Sequence, residues 1–343
     1  MTQSANQPAS NAMASFYRPI ERELADMTSL LKERLRHLDP LFDAYLEYSF
    51  QLGGKRLRPA LTLLCGKAAG KIERRHFYIG AALEMIHTGS LVHDDVLDGA
   101  SFRRQLQTVN AKWDSQRAVL IGDMLITRAF ELVCDCEDFK VFRKISQCCQ
   151  ATVEGELYQT ESVGNFALSV DDYRRIVGGK TASLIECSAA LGAYLGGASE
   201  ADLDVYGALG RSLGVAFQIV DDVLDLVGDE DVVGKTLGTD LENQKETLPV
   251  IFYLQNASQE EKDALLKRLG GGVRADERAE LAALLKGAGA IDAALAEAKR
   301  LVDAAVARLA ELRKRAEGEG RTESLAAFDS LADLARFVVK RDK

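Results

Sequence analysis

Proline is scarce in this chain: only five occur in 343 residues, and none lies between Pro59 and Pro249. Proline interrupts a helix because it has no amide hydrogen and its ring clashes with the preceding turn. A stretch of that length without proline, rich in Ala, Leu, Glu and Arg, favours long helices. The alternation of apolar and polar residues that is typical of strands is missing as well. The sequence therefore predicts an all-α protein.

Acidic residues outnumber basic ones, and long apolar runs are absent from the sequence. The net charge is −9, which argues against a nucleic-acid partner because such a partner favours a basic face. No run reaches the roughly 18 apolar residues of a membrane span. Residues 1–15 have neither the basic start nor the apolar centre of a signal peptide and read as a disordered tail. We expect a cytoplasmic protein with one helical domain over residues 16–343.

The cysteines do not follow a zinc-binding pattern. They stand at positions 65, 134, 136, 148, 149 and 187, without zinc-ligand spacing or an accompanying pair of histidines. Free cysteine is often buried among apolar side chains. We interpret all six as reduced thiols in or near a helical core and assign them no function.

Apolar residues recur at helical spacing through much of the chain. In the segment Ile79–Leu97, for example, Ile79, Leu83 and Ile86 follow one another three or four positions apart. Further amphipathic helices are predicted over Leu203–Leu226, Ala275–Leu285, Ala290–Arg313 and Thr322–Val339.

One short pattern occurs twice, each time inside an apolar helical run. The sequence Asp-Asp-Val-Leu-Asp begins at Asp94 and again at Asp221. Residues four apart lie on one helix face, so the first and last aspartates of each copy project together: Asp94 with Asp98, and Asp221 with Asp225. The second aspartates, Asp95 and Asp222, are turned about 100° away and fit a supporting position or another edge of a metal site.

Carboxylates in apolar surroundings are costly unless a cation compensates them. Mg²⁺ suits this role because it is hard, prefers oxygen ligands and takes one or two carboxylates together with phosphate oxygens. A single copy of the pattern would equally describe a solvated acidic helix face. Two identical copies in apolar helices predict instead a magnesium-bridged cradle for a diphosphate.

Compact basic groups accompany the acidic pairs. They are Gly53-Gly54-Lys55-Arg56-Leu57-Arg58-Pro59, the pair Arg103-Arg104, Lys180 beside Thr181, and Lys235 between Gly234 and Thr236. Glycine lets backbone N–H groups approach a phosphate, and arginine holds one with two parallel hydrogen bonds. Any one group alone would also fit a surface salt bridge. Their placement around the acidic pairs favours a diphosphate site.

The order of these motifs resembles the trans-isoprenyl diphosphate synthase family. The series runs G-G-K-R-L-R-P, H-D-D-V-L-D with R-R, G-K-T-A, F-Q-I-V-D-D-V-L-D and G-K-T-L-G-T-D, and the likeness spans roughly residues 16–343. The resemblance implies a bundle of long antiparallel helices around a central cavity (the isoprenoid synthase fold), usually as a homodimer. It also implies about three Mg²⁺ ions per active site and the substrates isopentenyl diphosphate and an allylic prenyl diphosphate.

The same resemblance implies a role for each site residue. Asp94, Asp98 and Asp221 would coordinate Mg²⁺, with Asp95, Asp222 and Asp225 nearby. Arg103, Lys180 and Lys235 would complete the allylic diphosphate site. Lys55, Arg58, His87 and Arg104 would bind isopentenyl diphosphate, Gly54 would be a further substrate-binding residue, and Thr181 and Gln218 would face the reacting carbons. The family commonly has glycine where Gln105 and Gln244 stand, and Lys245 beside Gln244 is a further candidate for diphosphate binding.

Product length should depend on the helical turn before Asp94. Gly89 and Ser90 stand there, with Met85 and Ile86 beyond. Short-chain relatives usually carry a bulky aromatic residue at this turn, which acts as a floor for the product. We therefore expect a product longer than farnesyl, a long all-trans polyprenyl diphosphate for a quinone side chain, with transient membrane contact when it is released.

Other readings remain open at this point. A short-chain synthase would share every motif except the open turn. A class I terpene cyclase would carry an N-S-E-like second metal motif, whereas this chain has a second D-D-V-L-D. A regulatory subunit would have lost metal-binding aspartates, and a head-to-head condensing enzyme would release two diphosphates per product.

Overall fold

The computed structural model describes residues 15–36, 39–51, 56–228, 238–270 and 275–340, together with residues 13 and 273. A 3₁₀ turn (Arg18–Ile20) leads into α1 (Glu21–Leu35), α2 (Pro40–Gln51), α3 (Leu57–Ala69) and α4 (Arg74–Leu97). A two-stranded antiparallel hairpin, β1 (Phe102–Arg103) and β2 (Leu106–Gln107), precedes α5 (Val109–Lys112), α6 (Ser115–Cys134) and α7 (Phe139–Glu161).

The second half of the chain is helical as well. Helix α8 (Val170–Val177) continues through a π-helical segment (Gly178–Ala182) into α9 (Ser183–Gly196), and α10 (Glu200–Val227) follows. The remaining helices are α11 (Thr239–Glu242), α12 (Leu248–Asn256), α13 (Gln259–Leu269), α14 (Ala275–Gly287), α15 (Ala290–Gly318) and α16 (Thr322–Lys340). The five helices predicted from apolar spacing are all present, and the prediction of an all-α protein is confirmed. The short hairpin was not predicted, since two residues per strand give no measurable alternation.

The described chain divides into two compact units, each assembled from three stretches. Unit one takes in the described parts of Met1–Cys149, Leu184–Gly207 and Leu309–Leu334. Unit two takes in those of Gln150–Ser183, Ala208–Arg308 and Ala335–Lys343. The first aspartate motif therefore belongs to unit one and the second to unit two. The single domain over residues 16–343 stays a prediction, and the proposed tail 1–15 lies outside the described residues except for Met13 and Ser15.

In unit one, a continuous apolar core surrounds α4. Helix α6 packs along α4, and the core includes Leu83, Met85, Leu125 and Leu191, all buried. Small residues allow close helix approach here: a Cβ on Gly192 would lie 2.2 Å from the carbonyl oxygen of Thr62. Cys148 and Cys187 are buried in the same core, and the six cysteines are free thiols.

In unit two, α10 supplies the apolar face with Leu213, Ile219 and Val223, all buried. Helix α8 begins with a capping box, in which the Ser169 hydroxyl accepts from the Asp172 N–H while the Asp172 carboxylate accepts from the Ser169 N–H. Pro249 ends the long proline-free stretch and stands in the first turn of α12, where its missing N–H leaves no helical bond unmade. None of the helices in the described ranges is both long and apolar enough to cross a membrane.

Candidate active site

The first aspartate motif forms the last turn of α4. Asp94 is half-buried. Asp98 is exposed and caps the C-terminus of the helix, and its N–H donates to the Asp94 carbonyl oxygen at 2.8 Å. Asp95 is turned inward and is only 1% exposed. The helical period therefore divides the motif, as its spacing predicts, into two outward carboxylates and one buried carboxylate.

Asp95 is held by Arg103 of the hairpin. The guanidinium Nη2 and Nε donate to Asp95 Oδ1 at 2.8 and 2.9 Å, and Nε also lies 3.2 Å from Oδ2. Burial raises the pKa of Asp95, while Arg103 lowers it. Arg103, predicted as an allylic diphosphate ligand, thus also pairs with the second aspartate of the motif. The hairpin makes this possible because it folds the chain back over the end of α4.

The hairpin tip has left-handed backbone at both central residues. Arg104 has a φ of 51° and Gln105 a φ of 66°. Positive φ at both positions is the geometry of a two-residue turn whose twist matches the flanking strands, and glycine adopts it most easily. Gln105 is one of the two positions where the family commonly has glycine.

A buried acid organises the basic residues of unit one. Glu84 of α4 is 5% exposed, and burial raises its pKa, whereas the nearby Arg58, Arg56 and Arg104 oppose that rise. Burial in turn lowers the pKa of Arg58, with Glu84 opposing. Arg58 Nε and Glu84 Oε2 are both buried without a hydrogen-bond partner among the described residues. A site with an unused arginine donor is chemically suited to an anion.

His87 lies one turn after Glu84, beside the same cations. Burial, then the charges of Arg58, Arg103 and Arg104, hold the pKa of His87 well below its usual range. The structure therefore brings together four predicted ligands of isopentenyl diphosphate or the allylic diphosphate, namely Arg58, His87, Arg103 and Arg104. Gly54, Lys55 and Lys235 lie outside the described residues.

Sequence reasoning missed Glu84, and it named Arg56 only as part of a basic group, without a role of its own. Glu84 stands in the apolar run Ala81-Ala82-Leu83-Glu84-Met85-Ile86, three residues before His87, and an acid inside such a run is a usable signal. Arg56 has a left-handed φ of 50° at the start of α3, and its guanidinium donates to the Thr28 hydroxyl. No local sequence pattern predicts this contact, because Thr28 lies 28 residues before Arg56.

In unit two, Lys180 and Thr181 lie on the π-helical segment. The segment touches α7 closely: a Cβ on Gly155 would lie 2.2 Å from the Lys180 backbone nitrogen, so only glycine fits there. Lys180 Nζ contacts Glu156 Oε2 at 2.6 Å and donates to Gln159 Oε1 at 2.7 Å. A single turn of π-helix inside an α-helical run is common at functional sites.

Thr181 belongs to a chain of hydrogen bonds that ends at the second aspartate motif. Its hydroxyl donates to Gln218 Oε1 at 3.0 Å, and Gln218 Nε2 donates to Asp222 Oδ1 at 2.8 Å. The Tyr173 hydroxyl donates to the other carboxylate oxygen, Asp222 Oδ2, at 2.6 Å. Burial, with Asp240 and Asp221 nearby, holds the pKa of Asp222 well above its usual range, and the bonds from Tyr173 and Gln218 oppose that rise.

The other aspartates of the second motif differ in exposure. Asp225 is buried, and its Oδ2 accepts from the Asp240 N–H at 3.2 Å, which anchors the start of α11. Asp221 is half-buried, as is Lys245, which follows Gln244 with its left-handed φ of 54°. Within the described ranges, no group of three His, Cys, Asp or Glu side chains is close enough to hold a metal by itself.

The predicted chain-length positions lie on two faces of α4. A Cβ on Gly89 would meet the Gly122 carbonyl oxygen at 3.0 Å and Ile126 Cγ1 at 3.1 Å, so Gly89 lies against α6. Ser90 is half-buried, and its hydroxyl donates to the His87 carbonyl oxygen. The two further chain-length positions, Met85 and Ile86, are buried in the unit-one core.

Comparison with known proteins agrees with this arrangement of motifs. Residues 39–286 match the family model described as polyprenyl synthetase. The chain belongs to the polyprenyl synthetase family. It is similar to the all-trans-nonaprenyl-diphosphate synthase (geranyl-diphosphate specific) of Rhodobacter capsulatus, with 34% identity over 275 residues that cover 80% of this chain and 84% of that protein.

Two further relatives extend the comparison. The geranylgeranyl diphosphate synthase of Saccharolobus solfataricus is 32% identical over 312 residues, which cover 88% of this chain and 92% of its own. This chain is also similar to the Caulobacter crescentus polyprenyl synthase, whose crystal structure is complexed with calcium and isoprenyl diphosphate. The two sequences are 31% identical, the TM-score is 0.87, and the superposition covers 96% of this chain and 98% of that one. The isoprenoid synthase fold and the enzyme class, a chain-elongating prenyl diphosphate synthase, are thereby confirmed. The names of these relatives span products from geranylgeranyl to nonaprenyl diphosphate.

Proposed function

We propose that this polyprenyl synthetase family member is a magnesium-dependent, cytoplasmic enzyme that makes a long-chain all-trans polyprenyl diphosphate. It would extend an allylic primer of the farnesyl or geranylgeranyl class with isopentenyl diphosphate, for a quinone or related isoprenoid. The observation that carries the proposal is the small Ser90 one turn before Asp94, on a helix whose last turn presents two outward carboxylates.

Each aspartate motif offers carboxylate oxygens of the kind that Mg²⁺ prefers. Three carboxylates, on Asp94, Asp98 and Asp221, are at least partly exposed, whereas Asp95, Asp222 and Asp225 are buried against protein donors. Hard oxygen ligands are what Mg²⁺ prefers, and it commonly completes its shell with phosphate oxygens and water. We assign the ion-binding role to the first three and a supporting role to the other three. Bound Mg²⁺ would stabilise negative charge on the departing diphosphate.

The protein residues bind the substrates and exclude water. Arg58, His87 and Arg104 of unit one would hold isopentenyl diphosphate, and Lys180 and Lys245 of unit two would hold the allylic diphosphate, with Arg103 aiding from its place beside Asp95. In the reaction the allylic carbon–oxygen bond breaks, and the isopentenyl double bond supplies the electrons of the new carbon–carbon bond. A proton then leaves the intermediate cation for an oxygen of the released diphosphate. Fixed cations and dipoles of this kind lower such a barrier because they need no reorganisation.

Two observations support a long product. Ser90 presents a short side chain four residues before Asp94, on the same helix face. The named relatives include an all-trans-nonaprenyl-diphosphate synthase.

A short-chain product is the second candidate, and Ile86 favours it. Ile86 lies one turn beyond Ser90 and is buried in a packed core, so it already fills space on the side where a long product would extend. The geranylgeranyl diphosphate synthase among the named relatives also supports a short-chain product.

Product sizing tests both candidates. The purified protein would be incubated with Mg²⁺, labelled isopentenyl diphosphate and a farnesyl or geranylgeranyl primer. We expect a ladder that ends at a long chain, disappears with EDTA or with Asp94→Ala, and returns when Mg²⁺ replaces EDTA. Termination at geranylgeranyl diphosphate would favour the short-chain candidate, and no incorporation with any primer would reject elongation by this protein.

We also propose a homodimer. Unit one exposes apolar side chains on α6 and at the start of α7, among them Leu120 at 59% and Phe139 at 70% exposed. Large exposed apolar side chains are often covered in subunit contacts. A second copy of the chain would cover these side chains with the same residues of its own, in the symmetric manner common to homodimers.

A further inference from the structure

The hydrogen-bonded chain in unit two contains one residue to which no role has been assigned, Tyr173. It is 4% exposed on α8, and its hydroxyl donates to Asp222 Oδ2 at 2.6 Å. Asp222, itself 4% exposed on α10, accepts from Gln218 through its other oxygen at 2.8 Å. Both carboxylate oxygens are therefore occupied from two different elements.

The order of donors and acceptors along this chain has a consequence for Thr181. Because the amide nitrogen of Gln218 donates to Asp222, its amide oxygen is turned towards Thr181. An amide oxygen can only accept, so the Thr181 hydroxyl must donate to it at 3.0 Å. The hydroxyl hydrogen is thus fixed, and the lone pairs of the Thr181 oxygen face away from Gln218.

These contacts tie both α8 and the π-helical segment to α10. Tyr173 fastens α8 to Asp222, and Thr181 fastens the π-helical segment to Gln218, one helical turn earlier on α10. Loss of the Tyr173 hydroxyl would leave a buried carboxylate oxygen without its donor, and Asp222 would then be free to turn. The Gln218 amide would lose its fixed orientation as a result.

We propose that Tyr173 is a positioning residue for prenyl transfer: through Asp222 it sets the orientation of the Gln218 amide and thereby the direction of the Thr181 hydroxyl. The proposal rests on the proposed function, in which Thr181 and Gln218 face the reacting carbons. Tyr173 itself does not contact substrate; it acts by keeping polar groups at fixed positions, which networks of fully satisfied hydrogen bonds do well.

The test is Tyr173→Phe, which keeps the ring and removes only the hydroxyl. We expect kcat to fall about tenfold or more while the KM for isopentenyl diphosphate changes less than about twofold, because a misdirected reacting group affects the transition state and not the binding of that substrate. The matched control is Tyr253→Phe, another buried tyrosine of unit two, which should leave both constants unchanged.

A double-mutant cycle separates positioning from simple loss of stability. In a Thr181→Val background the chain is already broken, so adding Tyr173→Phe should lower kcat by less than about threefold. An equal fall in both backgrounds, or a Tyr173→Phe enzyme with wild-type kcat, would overturn the proposal.

A second readout needs no activity, so it separates failure of this inference from failure of the proposed function. The side-chain amide signals of Gln218 in an NMR spectrum, identified by their loss in Gln218→Leu, should shift in Tyr173→Phe and stay in place in Tyr253→Phe. Unchanged Gln218 signals in a folded Tyr173→Phe protein would show that the tyrosine does not orient the amide. A wild-type protein that elongates no primer while the signals do shift would reject only the proposed reaction.

Discussion

Two glutamines of this chain adopt a backbone conformation that suits glycine. Gln105 at the hairpin tip has a φ of 66°, and Gln244 before Lys245 has a φ of 54°. A side chain with a Cβ is strained at such angles by about 1 kcal/mol, because the Cβ approaches a neighbouring carbonyl oxygen. Gln244 is kept there by tertiary contact, since its carbonyl oxygen accepts from the Gly164 N–H at 3.0 Å.

We expect Gln105→Gly to raise the free energy of unfolding, or at least not to lower it. Relief of the left-handed strain should contribute about 1 kcal/mol, offset in part by the greater freedom of glycine in the unfolded chain. Urea unfolding monitored by circular dichroism measures the difference. The matched control is Gln105→Ala, which keeps the Cβ and should show no gain; equal stability of the two variants would contradict the strain argument.

At the residue scale, His87 should make the free energy of unfolding depend on pH. Its pKa is lowered in the folded protein by burial and by Arg58, Arg103 and Arg104. The unfolded chain therefore binds a proton in a pH range where the folded protein does not, and the free energy of unfolding falls as pH decreases below about 6.5. His76, whose pKa burial also lowers, acts in the same direction, while the raised pKa of Glu84 acts in the opposite one.

The expected result for His87→Gln is a weaker dependence of stability on pH between about 5 and 6.5, since that proton no longer contributes. The slope should decrease by up to about 1.4 kcal/mol per pH unit. Denaturant unfolding of wild type and variant at matched pH values measures it, and the comparison cancels the effects of His76 and Glu84. Parallel curves for the two proteins would show that His87 titrates normally in the folded state.

At the scale of the element, the π-helical segment depends on glycines in two helical stretches. A Cβ on Gly155 of α7 would lie 2.2 Å from the Lys180 backbone nitrogen, and a Cβ on Gly179 would lie 2.6 Å from the Ala151 carbonyl oxygen. Both obstacles are backbone atoms, which cannot turn aside as a flexible side chain can. Close backbone approach is thus what places Lys180 within reach of Glu156.

Gly155→Ala should therefore push the π-helical segment away from α7. We expect a loss of about 1–3 kcal/mol in the free energy of unfolding, together with a fall in kcat as Lys180 and Thr181 move. Gly287→Ala on α14 is the control: no atom lies within 4 Å of its added Cβ, so stability should stay or rise and activity should not change. If the two variants behave alike, the close approach has no functional role.

The end of α4 offers a second test at this scale, by comparing adjacent positions. Ser90 is half-buried, so Ser90→Phe should fold and end the product ladder at a shorter chain. Gly89 faces α6, where even a Cβ would meet the Gly122 carbonyl oxygen at 3.0 Å, so Gly89→Phe should mainly lower the melting temperature. Product sizing and thermal unfolding distinguish the two. A Ser90→Phe enzyme with an unaltered ladder would remove Ser90 from the product path.

At the scale of the whole molecule, the exposed apolar side chains Val119 and Leu120 of α6 predict self-association. Leu120→Asp places a charge in the proposed homodimer contact and should convert a dimer into a monomer, because burying an unpaired carboxylate is costly. Light scattering after size-exclusion chromatography measures the mass. Leu284→Asp, at a less exposed apolar position on α14, is the matched control and should remain dimeric. A wild-type mass equal to one chain would reject the dimer.

Much of the helical layout was predictable from local pattern, and parts of the site were not. Apolar spacing located α4 and α10, and the helical period of about 3.6 residues per turn indicated that Asp95 points away from Asp94. By contrast, the partners of the buried acids lie on other elements: Arg103, the partner of Asp95, is on the hairpin that follows α4, and Tyr173, the partner of Asp222, lies 49 residues away on α8. Such pairs leave no periodic signal because neither residue fixes the position of the other along the chain.

The sequence by itself determined the all-α fold, the two aspartate motifs and their division into outward and inward carboxylates, since helical period and composition are local properties. The family followed from the order of those motifs. Only the tertiary structure decided that Gly89 faces α6, that Glu84 lies among three arginines, and that Asp222 is fixed between Tyr173 and Gln218. These facts depend on which faces of separate helices meet, and that is set by packing between segments far apart in the chain.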